Sequence, residues 1–243
     1  MNWKQIKLLL FFSILLGHGP FASSQNVPSP YTVVKDKVVI SKFYTLEQPS
    51  TSEGIFLNAL LWVIENREFE GLEEEEKEKM AFEVDYDKQQ FTIELMQKGE
   101  SSGSCYNSLF SVKVADNIIT ILASDISCET QVAPIKLVRR LPFEKLQPEK
   151  KEKHKENLNE FAALYETYSK QMLEYIASTN PPVVTHWTEI KNKEVVKGMT
   201  AAECLLSMGK PASVQKSDGK EEWMYDAYTY LFFENGLLTS FIK

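Results

Sequence analysis

The chain has 243 residues, with 27 Lys and Arg against 34 Asp and Glu, so its formal net charge is -7. Hydrophobic residues make up 43% and charged residues 25%, which excludes a wholly disordered chain and a disulfide-dense scaffold. The acidic balance argues against nucleic-acid binding, because affinity for phosphates needs clustered Lys and Arg. Three His and three Cys leave little material for metal sites.

The first residues are typical of a cleavable secretory signal. Lys4 and Lys7 precede a short apolar run, and small residues follow it up to Ser24. The run has about half of the roughly 20 apolar residues that a membrane-spanning helix needs. No Cys follows it that could carry a lipid. We therefore expect residues 1–24 to be a signal peptide cleaved near Ser24, and the mature protein to be periplasmic or secreted, with no transmembrane segment and no lipid anchor.

Residues 25–147 are predicted to form an antiparallel sheet with one packed helix. Valine and aromatic residues indicate a strand over 31–46, and helical spacing of apolar residues predicts a helix from about Ser52 to Arg67. Further strands are predicted over 80–86, 90–96, 105–115 and 118–128. Asp116 and Asn117 tolerate the positive φ of a two-residue hairpin turn between the last two strands.

That hairpin places two cysteines opposite each other. Directly opposed residues in a turn at 116 and 117 have numbers that add up to 233, as do Cys105 and Cys128. Opposed residues on paired strands are close enough for a disulfide, and an exported protein permits oxidation. We therefore expect a disulfide between Cys105 and Cys128. The alternatives are two buried thiols, or a register slip that separates them.

Residues 148–182 are predicted to hold a long connecting helix and a linker. Its apolar residues share one face over about five turns, which indicates core or interdomain packing. The face comprises Leu158, Phe161, Leu164, Tyr165, Tyr168, Met172, Tyr175 and Ile176.

Residues 183–243 are predicted to form a smaller unit. Thr200 and Glu203 have the spacing of a helix capping box, and the short helix should stop at Gly209. Three antiparallel strands follow over 223–225, 228–234 and 237–243, the last two joined by a hairpin turn at 235–236. The whole chain is therefore expected to be an α+β protein.

The first unit resembles a known domain. The residues that carry the resemblance are Lys42 to Tyr44, the helix from Ala59 to Asn66 and the hairpin pattern through Cys128. Over residues 38–128 these resemble a domain of unknown function in secreted proteins of Bacteroidetes. The resemblance implies a TBP-like fold for this unit.

The second unit resembles a different family over residues 196–242. The resemblance is carried by four segments, Lys197 to Thr200, Gly209 to Pro211, Trp223 to Tyr225 and Leu231 to Gly236. Together they are similar to the SmpA/OmlA family of outer-membrane lipoproteins, whose architecture is related to that of β-lactamase inhibitor proteins. The resemblance implies protein binding or stabilisation of envelope complexes. The acylated cysteine of the family is absent here, so membrane anchoring is not implied.

Candidate catalytic or metal-binding residues are isolated in the sequence. Ser101 lies in a literal G-x-S-x-G string, but a strand follows it where a nucleophile elbow needs a helix. His186 lacks the companions of a metal site. The run Glu73 to Glu76 lacks the spacing of a calcium loop, and Cys204 fits a packed thiol on the short helix. We expect no catalytic, cofactor-binding or metal-binding residues.

The sequence therefore predicts an exported, non-catalytic protein-binding or scaffolding module of the bacterial cell envelope. Its partner would be another envelope or extracellular protein, and neither nucleic acid nor a cofactor. The aromatic tail offers Trp223, Tyr225, Tyr228 and Tyr230 as candidate partner-binding residues, because large aromatic side chains dominate protein interfaces. The alternatives are an inhibitor of an extracellular enzyme and, more distantly, a hydrolase that uses Ser101 or Cys204.

Overall fold

The structure is a computed structural model that describes residues 31–34, 37–46, 51–66, 82–99, 105–132, 137–142 and 151–243. The predicted signal peptide, Ser101 and the run Glu73 to Glu76 lie outside the described residues. In the part of the chain that is described, no helix is both long and apolar enough to cross a membrane.

The larger unit is built on an antiparallel sheet of seven described strands. Along its main path the strand order is β1-β2-β6-β5-β4-β3, and β7 pairs with the far half of β6. The strands are β1 (Thr32–Val34), β2 (Lys37–Thr45), β3 (Phe82–Asp85), β4 (Gln90–Lys98), β5 (Cys105–Ala115), β6 (Ile118–Val132) and β7 (Leu137–Pro142).

The predicted hairpin between β5 and β6 is confirmed. Asp116 and Asn117 have φ of 51° and 60°, the left-handed conformation that a two-residue turn requires at both positions. Ala115 pairs with Ile118 directly beside the turn. The local sequence therefore fixes the register at this end of the hairpin.

The register changes further along the hairpin because β6 contains a bulge. Leu109 pairs with Ser124, and Asn107 pairs with Ser127. One residue separates the two pairs on β5, but two residues separate them on β6. Asp125, one of the two, has a φ of 50°. The extra residue shifts every later pair by one position.

The predicted pairing of Cys105 with Cys128 is therefore wrong. Cys105 pairs with Glu129, and Cys128 pairs with Tyr106. Because side chains alternate across a strand, the two cysteines project from opposite faces of the sheet. Cys128 is buried, Cys105 is half-buried, and no disulfide is present among the described residues.

Two long helices pack on one face of this sheet. They are α1 (Ser52–Asn66) and α2 (Lys151–Ser178). Thr51 begins α1, since its Oγ1 accepts a hydrogen bond of 3.1 Å from the Gly54 nitrogen. Every residue from Gly54 to Ile64 is buried, so this part of α1 is covered on all sides.

The apolar face of α2 forms part of the same core. Tyr168 contacts both Trp62 of α1 and Phe110 of β5, at ring-centroid distances of 4.6 and 5.3 Å. The eight residues predicted for this face are all buried or partly buried against the core. The long helix thus packs against the sheet and against α1, and it also leads into the second unit.

The second unit contains two short helices and a four-stranded antiparallel sheet. Its elements are α3 (Trp187–Lys191), α4 (Ala201–Met208), β8 (Ser213–Ser217), β9 (Lys220–Met224), β10 (Tyr230–Glu234) and β11 (Leu237–Ile242). The strand order is β11-β10-β9-β8. Three strands were expected, and β8 is the additional one; its sequence is polar and carries no apolar alternation.

The two units share a continuous hydrophobic core. The Tyr86 hydroxyl donates to the Leu206 carbonyl at 2.9 Å, and the Tyr86 ring packs edge-on against Trp187. Lys191 pairs with Asp87 at 2.7 Å. These contacts attach α3 and α4 to the turn after β3, so the second sheet is held in a defined position.

Candidate functional site: the outer face of the second sheet

The second sheet has one face turned into the core and one turned outward. Along β10, Leu231 and Phe233 are buried, while the alternating Tyr230 and Phe232 are partly exposed. Trp223 pairs with Leu231, is 5% exposed, and has its ring centroid 4.6 Å from that of Phe233. Trp223 therefore belongs to the inner face, and Tyr230 and Phe232 belong to the outer face.

Strand pairing groups the outward residues into two rows. Tyr230 stands between Ile242 on β11 and Met224 on β9, and Ile242 is 55% exposed. Phe232 stands between Ser240 and Glu222 in the next row, which ends at Gln215 on β8. Together these residues form the outer face, which comprises Gln215, Glu222, Met224, Tyr230, Phe232, Ser240 and Ile242.

The two aromatic rings of the outer face are nearly parallel. The centroids of Tyr230 and Phe232 are 6.5 Å apart, and their planes differ by 14°. Residues two apart on a strand project from the same face, which places both rings side by side. Exposed aromatic side chains beside apolar neighbours are typical of surfaces that bind another protein.

The four predicted partner-binding aromatics fall into two groups. Trp223 is buried, and Tyr225 turns toward the core, where its hydroxyl donates to the Gly209 carbonyl at 3.0 Å. Burial raises the pKa of Tyr225 well above its ordinary value. Tyr230 lies on the outer face, and Tyr228 is 79% exposed in the loop before β10. The structure thus brings only Tyr228 and Tyr230 to the surface.

The loop that presents Tyr228 is held by one carboxylate. Asp226 accepts hydrogen bonds from the Tyr228 nitrogen at 2.7 Å and the Thr229 nitrogen at 2.8 Å. The Thr229 hydroxyl donates to the same side chain at 2.9 Å. These bonds, led by that from Tyr228, lower the pKa of Asp226. The exposed ring is therefore carried on an ordered turn beside the outer face.

Phe232, Met224 and Ile242 were not among the predicted partner-binding residues. The alternation from Tyr230 indicates that Phe232 shares its face, but not whether that face is the buried one. Met224 and Ile242 are the cross-strand neighbours of Tyr230 and follow once the register is known. The missing information was which face of the sheet is turned into the core.

Charges around the outer face are mostly neutralised by neighbours. Glu234 pairs with Lys220 at 3.0 Å, and Glu221 on the inner face pairs with Lys216 at 3.1 Å. A hydrogen bond from the Trp223 indole, reinforced by Lys216, lowers the pKa of Glu221. Within the described residues, Glu222 forms no such pair.

A second polar cluster surrounds Glu203, which is 1% exposed. Its Oε1 accepts from the backbone nitrogens of Thr185 and His186 at 2.7 and 3.0 Å. Its Oε2 accepts from the Thr200 nitrogen at 2.8 Å, which completes the predicted capping box. Burial alone would raise the pKa of Glu203, but these hydrogen bonds outweigh it and lower the pKa to about 2.

His186 lies within this cluster. Its Nδ1 is 3.0 Å from Glu203 Oε1, and the residue precedes α3 as its N-cap. Because Glu203 mainly binds backbone groups at the starts of α3 and α4, the cluster joins two helix ends. In the described part of the chain, no group of three or more His, Cys, Asp or Glu could hold a metal ion.

Cys204 is a core thiol. It is fully buried, and burial together with the nearby Glu203 raises its pKa to about 12. A thiol with so high a pKa stays protonated at neutral pH and is a poor nucleophile. Cys204 therefore fits the packed role predicted for it.

Among the comparisons with known proteins, the one with solved structures agrees with this architecture. No protein-family model matches the chain, and no curated protein matches it. The structure is similar to that of a TBP-like protein from Parabacteroides distasonis, with 13% identity over 61% of this chain and 98% of that one, at a TM-score of 0.50.

A second solved structure, a DUF4468 family protein from Bacteroides ovatus, has 10% identity over 68% of this chain and 100% of that one, at a TM-score of 0.46. At such identities a likeness concerns the fold alone. The predicted resemblance of the second unit to SmpA/OmlA proteins stays a prediction. The chain is an α+β protein with a TBP-like fold.

Proposed function

We propose that this chain is an exported, non-catalytic binding module of the bacterial cell envelope that contacts another protein through its outer face. The observation that carries the proposal is the partly exposed row of Tyr230 and Met224 beside the exposed Ile242, with the partly exposed Phe232 next to it. Burying such side chains against a partner is favourable, by about 25 cal/mol for each Å² of apolar surface.

The rest of the chain supports this surface. The inner face of the sheet packs through Trp223, Leu231 and Phe233, which are nearly or fully buried. The unit is also attached to the larger unit through Tyr86. A preformed, rigid surface loses little conformational entropy when it binds, which favours recognition of a folded partner.

Two features of the sequence agree with an envelope location. Residues 1–24 have the pattern of a cleavable signal, and residues 196–242 resemble a family whose members bind proteins in the envelope. N-terminal sequencing of the protein from its source bacterium tests export. We expect a mature chain that starts at Gln25; a chain that retains Met1 in the cytoplasm would contradict the proposal.

Binding is tested with the full mature chain as bait for envelope proteins. We expect at least one protein to be captured by the wild type and lost with the double variant Tyr230→Ser, Phe232→Ser. The matched control is Val183→Ser, which removes a side chain that is 80% exposed but lies outside the outer face. If every captured protein binds the wild type and the double variant equally, the outer face is not the binding surface.

A further inference from the structure

We infer that the outer face takes an arginine side chain of the partner protein. The inference rests on the proposed binding function and specifies its chemistry. The ring centroids of Tyr230 and Phe232 are 6.5 Å apart, and the ring planes are 14° from parallel. A cation interacts with an aromatic face when it lies within about 6 Å of the ring centroid. A single cationic group between these rings can satisfy that distance to both.

A carboxylate stands beside the rings. Glu222 is directly opposite Phe232 in the pairing of β9 with β10, and it projects from the same face. Side chains of opposed residues in an antiparallel pair have Cβ atoms about 4.5 to 5.5 Å apart. The Glu222 carboxylate is therefore placed to meet a cation that packs on the Phe232 ring.

Glu222 also differs from its acidic neighbours in its ion pairing. Glu234, on the same face, pairs with Lys220, and Glu221, on the other face, pairs with Lys216. In the described part of the chain no Lys or Arg pairs with Glu222. A partner would supply the missing positive charge.

Arginine fits this arrangement better than lysine does. The guanidinium is planar, is weakly hydrated, stacks on aromatic faces and donates two parallel hydrogen bonds to one carboxylate. Gln215, the neighbour of Glu222 on β8, lies in the same row and offers a further acceptor. Met224 and Ile242 provide apolar surface for residues that flank the arginine in the partner.

The experiment uses the full mature chain and two blocked tripeptides, acetyl-Gly-Arg-Gly-amide and acetyl-Gly-Lys-Gly-amide. Each peptide is titrated into the protein while the ring signals of Tyr230 and Phe232 are followed by NMR. We expect saturable shifts with the arginine peptide and binding at least threefold weaker with the lysine peptide. Glu222→Gln should raise the dissociation constant of the arginine peptide about tenfold, because a hydrogen bond to a charged group is lost. Glu234→Gln, on the same face with the same loss of charge, should leave it within twofold.

The inference is overturned if the arginine peptide gives no saturable shift, if the lysine peptide binds equally well, or if Glu222→Gln binds like the wild type. Its failure can be distinguished from failure of the proposed function. A captured partner that is lost with the Tyr230→Ser, Phe232→Ser variant but binds Glu222→Gln at full affinity would keep the binding face and exclude the arginine.

Discussion

The Nδ1 atom of His186 lies 3.0 Å from Oε1 of Glu203, and that carboxylate also binds the backbone at the starts of two helices. One buried side chain therefore connects the segment after α2 to the short helix beneath the second sheet. The position of the outer face depends on this connection.

Replacing Glu203 with Gln should destabilise the protein. A neutral amide cannot accept the charge-assisted hydrogen bonds at both oxygens, so we expect a loss of about 2 kcal/mol in the free energy of unfolding. Urea denaturation measures it. Glu189→Gln, in the first turn of α3 but outside the cluster, is the control and should change stability by less than about 0.5 kcal/mol.

The same carboxylate predicts a pH dependence. Its pKa is lowered to about 2 from an ordinary 4.5, so its stabilisation is complete above about pH 4.5 and is lost as the pH falls toward 2. The difference in unfolding free energy between the wild type and Glu203→Gln should shrink over that window. A difference that stays constant from pH 5 to pH 2.5 would contradict the role assigned to Glu203.

The bulge in β6 predicts which cysteine pairs can form. Cys105 is opposite Glu129, and opposed residues have Cα distances within the range for a disulfide. Mild oxidation of the Glu129→Cys variant should therefore join residues 105 and 129, while the wild type keeps three thiols. Peptide mapping by mass spectrometry reads the result, and a bond between Cys105 and Cys128 in the wild type would show that the register without a bulge is correct.

Gly54 lies where α1 approaches the linker after α2. A Cβ added there would be 2.9 Å from both Cβ and Cγ of Pro181. We expect Gly54→Ala to destabilise the protein by about 1 to 2 kcal/mol, because crowding the added methyl against the Pro181 ring costs more than the helix gains from alanine. Pro181→Gly removes the two contacted carbons, so a double-mutant cycle should show that it relieves most of the loss.

The shared core predicts that the two sheets unfold together. Tyr86→Phe removes the hydrogen bond to Leu206 and should cost about 1 kcal/mol. In this variant, amide exchange at Ile93 in the first sheet and at Leu231 in the second should both be faster than in the wild type, and by the same factor. Protection that falls only at Leu231 would indicate that the units unfold separately.

Local signals in the sequence predicted much of this fold. The turns at Asp116-Asn117 and Asn235-Gly236 need residues that tolerate positive φ, and the capping box of Thr200 and Glu203 has a fixed spacing. Such features depend on neighbouring residues alone, so the sequence specifies them without reference to the rest of the chain.

Features set by distant contacts were not predictable in this way. β8 is polar and forms because β9 offers it a free edge, and the bulge at Asp125 is not marked by any turn motif. The site was predicted in part for the same reason. Alternation separates Trp223 from Met224, but only the packing of one face of the sheet into the shared core decides that Trp223 is buried and Phe232 is partly exposed.

The central claim, that the outer face binds a protein, is tested most directly by the affinity of a captured envelope partner for three forms of the mature chain. We expect similar dissociation constants for the wild type and Val183→Ser, and binding at least a hundredfold weaker for the Tyr230→Ser, Phe232→Ser variant. Amide protection at Leu231 verifies that this variant is folded. Equal affinity of all three forms would contradict the claim.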